Sequence, residues 1–348
     1  MSLFIAAVIA GVALLLYRAL LPRPLKGIPY NKTSAKRLLG DVPAIKSHIA
    51  ATDGGTFITY ILNEMKKLNA PLIQVFIRPL SKPLLILGDF PEAHDILVRR
   101  TKEFDRSHTL GDLVSGLAPD HHIHLPTGSA WKAQRRLVQD LMTPSFLHTV
   151  AGPVIYQHVS TLVELWRVKS RIAAGRPWAA GDDINQMALD AVMAFAFGEG
   201  LNHSATVPTL EAVTAGEMEL QDGVKVMHRD EPVAFPRGRV DEALQATLDL
   251  TKTVGEVQGN PMPDWKWAYV MRKPSVQKAF RVKEEYIRGE VTKSVERLHQ
   301  SKERARSAID QMVLRERETA GKEQREPDYF SRAMIDEVCS YSLFQANN

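Results

Sequence analysis

Cysteine is nearly absent. The 348 residues contain one, Cys339, which excludes an internal disulfide and fits a reducing compartment. A charge imbalance is missing too: Lys and Arg number 44 against 40 Asp and Glu, for a formal net charge of +4 and a pI near 9.0. Because the basic residues are interleaved with acids and form no stripe, nucleic acid is an unsuitable partner. A weak preference for an anionic membrane surface is the more natural consequence. What remains is the composition of an ordinary folded protein, long enough for one large or two ordinary domains.

The N-terminus carries the clearest physical signal. No charged residue occurs from Leu3 to Tyr17, Arg18 interrupts, and Ala19-Leu20-Leu21 continue the apolar character. Residues 1–21 therefore read as a transmembrane anchor, with Arg18 able to snorkel to the interface. A cleaved signal peptide would want its positive charges first, whereas Arg18, Arg23 and Lys26 all follow the apolar run. By the positive-inside rule the globular part lies on the cytosolic side, where the sequons at Asn31 and Asn202 are silent. Pro22, Pro24 and Pro29 make residues 22–29 a stiff proline-rich linker, leaving 30–348 as one domain.

Within that domain the spacing predicts a mainly α fold with a small β-hairpin. Apolar residues recur at helical spacing from Phe57 to Leu68, and the β-rich runs Leu72 to Ile77 and Leu84 to Leu87 read as a hairpin. Asp89-Phe90-Pro91-Glu92 starts a helix that runs to Arg100. The loop 107–127 holds His108, His121, His122 and His124, but no partner apart from Asp120 lies at ligand spacing, so no metal site is assigned. Pro153 to Ala173 and Gln186 to Phe197 are helices, the second apolar nearly all round and therefore buried. The segment 208–259 mixes helical spacing with breakers. Trp265 and Trp267 sit in a loop that either dips into a membrane interface or packs onto the globule. From Ser275 to Gly321 alternating charges suggest a solvated helix face without chemistry.

One stretch offers binding chemistry, Trp131-Lys132-Ala133-Gln134-Arg135. Four residues apart on a helix, Trp131 and Arg135 share a face about 5 to 6 Å apart at Cβ. The indole donates one hydrogen bond and the guanidinium presents a rigid fork, a pair suited to a ligand edge with two carboxylates. An amphipathic helix whose Trp packs in a core while Arg135 snorkels is the plainer reading.

Glu103-Phe104-Asp105-Arg106, then His124-Leu125-Pro126-Thr127-Gly128 running into Trp131 and on to Met142-Thr143-Pro144-Ser145-Phe146-Leu147, closely resembles the B-to-C region of membrane-bound, fungal-like cytochrome P450 monooxygenases. The resemblance covers nearly the whole chain. It implies that Trp131 and Arg135 hold haem propionates, that 107–127 forms part of a substrate pocket, and that Asp336 to Ala346 opens the long helix over the haem. The family's Ala-Gly-x-x-Thr segment and its thiolate loop, Phe-x-x-Gly-x-Arg-x-Cys-x-Gly, have no match here. The pairs Glu103/Arg106, Glu164/Arg167, Glu285/Arg288 and Glu303/Arg306 lie upstream of the family's Glu-x-x-Arg and read as accidents of a charged chain.

What the resemblance implies is the N-terminal two-thirds of the cytochrome P450 fold behind a single transmembrane helix, at the endoplasmic reticulum. Truncated before the thiolate, such a chain has no catalytic residue, binds haem weakly or not at all, is inactive alone, and exposes apolar surface. A complete relative would oxygenate a small apolar substrate, including secondary metabolites, with haem and electrons from an NADPH-dependent reductase. Two other readings stay open: a membrane-tethered helical binding or scaffold protein without haem, and an incomplete gene model of an active monooxygenase.

Overall fold

The computed structural model describes all residues except 1, 79–80, 108–110, 113, 199–202, 221–229, 259, 261, 301–304 and 344–348. His108, Asn202, Glu303 and the final Ala346-Asn347-Asn348 thus lie outside the described residues. Two compact units emerge, one of residues 1–106 with 259–262, the other of 107–258 with 263–348.

In the first unit the apolar run forms α1 (Ser2–Leu20), which exposes Phe4 and Leu15. It has 19 residues, and among the described residues no helix is long and apolar enough to cross a membrane. The spanning anchor expected over 1–21 is therefore not supported. Arg18 lies inside the last turn, and the Tyr17 hydroxyl donates to the Lys36 carbonyl at 3.3 Å, which holds the helix end to the unit.

The proline linker is docked as well as stiff. The Gln74 amide donates to the carbonyls of Leu25 and Ile28 at 2.9 and 2.7 Å and accepts from the Leu25 N–H at 2.8 Å. α2 (Val42–Ala51) and α3 (Phe57–Leu68) follow, the latter started by a capping box between Thr56 and Thr59 and ended by Asn69 in the left-handed region. β1 (Leu72–Val75) and β2 (Leu84–Leu87) pair antiparallel, Leu72 opposite Leu87. Ile73 and Val75 pack on Tyr60 and Ile61 of α3. Asp89 caps α4 (Phe90–His94) through the Glu92 N–H at 3.0 Å, and a wider turn carries the helix on through Arg99.

The second unit is helical: α5 (Ser129–Val138), α6 (Gly152–Ala173), α7 (Gly181–Phe197), α8 (Thr206–Leu220), α9 (Glu242–Val257), α10 (Pro263–Val270), α11 (Pro274–Gln300), α12 (Ala308–Glu323) and α13 (Arg332–Leu343). Its core joins Leu141, Met193, Leu250, Ile287, Met312 and Ile335, drawn from most of these helices. α7 begins five residues earlier than expected, and Asp183 in its first turn is a buried partner. Lys169 reaches it at 2.6 Å, and the Trp166 indole donates to it at 3.0 Å.

Two expectations need correcting. Ser275 to Gly321 is not one solvated face: it divides into α11 and α12, and Val276, Ala279, Lys283, Ile287, Val291, Ser294 and Leu298 form a buried stripe. The abundant charges hid that stripe because two of its members, Lys283 and Ser294, are polar. The Trp265 segment is helical, and its two indoles part company. Trp265 is exposed, whereas Trp267 is buried, donates to the Asp112 carbonyl at 2.9 Å, and occupies space that only a glycine at 116 leaves open.

Candidate active-site cavity

Helix α5 starts at Gly128 without a side-chain cap and ends where Asp140 accepts from Arg315 of α12 at 2.9 Å. Its amphipathic pattern turns Val138 into the core and leaves Arg135 half-buried beside a cavity of about 620 Å³. The walls are Met142, Leu147, Ala151, Ile155 and Val159 on one side and Met187, Ala188, Ala191, Val192 and Phe195 of α7 on the other. Ile155 and Val159 keep 43% and 37% of their surface exposed because they face this hollow. Polar character enters at Arg135, His121 and His122. Among the described residues Arg135 makes no ion pair or hydrogen bond, so its charge is available to a ligand. Trp131, one turn earlier, is half-buried with its indole nitrogen screened from solvent, and is not among the lining residues.

The histidines are set by a carboxylate 215 residues away in sequence, Glu337 of α13. Glu337 is fully buried and accepts from the His122 N–H at 2.9 Å and from His122 Nδ1 at 2.7 Å, with His121 Nε2 at 3.2 Å. Burial pushes its carboxyl upward, yet the hydrogen bonds from His121 and His122 outweigh it and hold it at about 2. Next to it, burial pushes Asp336 up, although it accepts the Asp120 N–H at 2.8 Å and faces Arg332 Nε at 3.0 Å. Two adjacent acids on α13 thus fasten residues 120–122, and Gln134 of α5 adds a bond to the Asp120 carbonyl at 2.8 Å.

The ligand-capable atoms of His121, His122 and Glu337 lie within 4.8 Å of one another, as a metal site would require. The hydrogen bonding says otherwise. His121 Nδ1 accepts from the Ile123 N–H at 3.1 Å, so the ring proton sits on Nε2 and points at Glu337. A metal-bound Nε2 would need that proton on the other nitrogen, against the Ile123 donor. His124, bonded to the Ala118 carbonyl at 2.9 Å, is held below its ordinary value by burial.

Residues 53–344 match the sequence profile described as Cytochrome P450. The chain belongs to the cytochrome P450 family. It is 37% identical over 330 residues to Cytochrome P450 monooxygenase TRI13 of Fusarium sporotrichioides, which covers 93% of this chain and 56% of that protein. Similarity to Cytochrome P450 monooxygenase GME11363 of Pestalotiopsis microspora is 34% over 343 residues, 97% of this chain and 58% of the relative. To xilC of Penicillium crustosum it is 31% over 339 residues, 97% and 57%. The chain thus spans a little over half the length of these curated relatives.

Membership in the family implies haem, and the two ends of that group can be tested separately against the residues here. Its acidic edge finds the Arg135 guanidinium, without an ion pair among the described residues, in the lining of an apolar hollow, which fits. Its iron does not find a thiolate: Cys339 is fully buried, lies off the cavity, and has Lys283 Nζ at 2.8 Å from its sulfur.

Proposed function

We propose that this chain forms the haem-edge portion of a monooxygenase acting on a small apolar substrate of the secondary-metabolite kind. The observation that carries this is Arg135, a cation without a described partner, placed against a cavity whose walls are aliphatic and aromatic. Arg135 would hold a propionate, and Trp131 one turn away would steady the same edge through its indole N–H. The apolar walls exclude water and receive the hydrophobic body of the ligand. Haem, when bound, supplies the oxygen chemistry, with electrons from an NADPH-dependent reductase. Cys339, held against Lys283 and off the cavity, does not serve as its axial ligand.

The test is haem titration of the purified chain followed by dialysis. A retained absorbance band in the wild type that Arg135→Ala weakens about ten- to hundredfold in affinity supports the reading. No retained band in the wild type, or equal retention in the variant, overturns it and leaves a helical scaffold. The exposed apolar side chains of α1, with Arg18, Arg23 and Lys26 after them, support attachment to the cytosolic surface of the endoplasmic reticulum membrane. Loss of liposome flotation on removing residues 1–21 checks that attachment.

A further inference from the structure

Lys283 of α11 and Cys339 of α13 are buried together although 56 residues separate them, with Nζ 2.8 Å from Sγ. Lys283 is 4% exposed and Cys339 not exposed at all. Among the described residues the Lys283 nitrogen also lies 3.5 Å from the Leu117 carbonyl and 4.4 Å from the Phe280 ring centre. Neither group has a part in the haem-edge site. A lysine threaded into a core to meet the chain's single thiol places a nitrogen and a sulfur in permanent contact.

We propose that Lys283 and Cys339 form an oxidative covalent crosslink, an oxygen-bridged Nζ–O–Sγ link that staples α11 to α13, with dioxygen as oxidant. The separation selects this bond. A single bridging oxygen spans close to the observed distance, whereas a direct N–S bond is about 1 Å shorter than the observed separation. The reaction consumes the free-base amine, the thiol and one dioxygen, and it yields the bridge and one water. Nζ and Sγ each lose one hydrogen and give up two electrons. The O–O bond breaks, one oxygen forms the N–O and O–S bonds, and the other leaves as water with the two hydrogens. Dioxygen is small and apolar, so it reaches a buried pair that larger, charged reagents do not.

The full chain, purified under reductant and then exposed to air, should gain ~14 Da, one oxygen added and two hydrogens lost. A peptide pair joining Lys283 to Cys339 should appear in the digest, and the thiol of the unfolded chain should no longer alkylate. Dithiothreitol should restore both mass and thiol. Because the sequence has one cysteine, no other residue can account for the lost thiol. Lys283→Arg keeps a buried donor but removes the primary amine, so its thiol should stay alkylatable after the same exposure. An alkylatable thiol in the exposed wild type, a loss of ~2 Da, or an unlinked cysteine carrying ~16 or ~32 Da overturns the proposal. Peptide mapping of the wild type decides the matter even where the variant folds poorly.

Discussion

Glu337→Gln is the substitution whose effect can be worked most directly from the structure. In the folded protein the carboxyl falls from 4.5 to about 2, held there by His121 and His122 against the opposing effect of burial. At 1.36 kcal/mol per pKa unit, the ionised form gains ~3 kcal/mol from its surroundings at neutral pH. Glutamine keeps one acceptor oxygen and turns an N–H₂ toward donors, so most of that stabilisation disappears. Urea unfolding at neutral pH, followed by tryptophan fluorescence, should show a loss of about 3 kcal/mol with an unchanged m value. Hydrogen exchange at the Asp120 and His122 amides should quicken as residues 120–122 come away from α13. The sign with pH follows from the lowered folded value. The contribution is complete above 4.5 and is lost as pH falls toward 2, so the wild type should lose stability across that window and the variant should not. A loss under about 1 kcal/mol, or an identical acid limb in both proteins, would refute the reasoning.

Asp183→Asn strands Lys169 in the interior and should cost about 3 to 5 kcal/mol, with a red shift in the emission of Trp166, whose indole donates to the same carboxylate. Gly40→Ala drives a Cβ into the Phe76 carbonyl at a φ of +54°, so the 1–106 unit should lose about 2 kcal/mol of stability to urea. His124 and His158 are both held below 6.5 by burial, so the stability they contribute is present above 6.5 and lost as pH falls beneath it. Thermal scans should show Tm falling on acidification through that value, and His158→Gln should flatten the slope.

Local signals were legible without coordinates. The helix over 57–68, the hairpin from Leu72 to Leu87 and the Asp89 start are written in periods of a few residues and in caps, which act over one turn. The Trp131/Arg135 pair was readable because one turn of helix fixes their spacing. The spanning anchor expected over 1–21 is not supported among the described residues, and an apolar run does not reveal that Tyr17 bonds the Lys36 carbonyl. The charged stretch after Ser275 misled for a related reason: counting lysines and glutamates does not say which of them faces inward.

From the order of residues alone followed a mainly helical chain, one short hairpin, and the spacing of an indole and a guanidinium on one helix face. Tertiary structure alone brought Glu337 to His121 and His122, Lys283 to Cys339, and the walls of α6 and α7 around Arg135. Those pairings join residues tens to hundreds of positions apart. Their partners are chosen by which helices share a core, a property of how the chain packs and not of any local period.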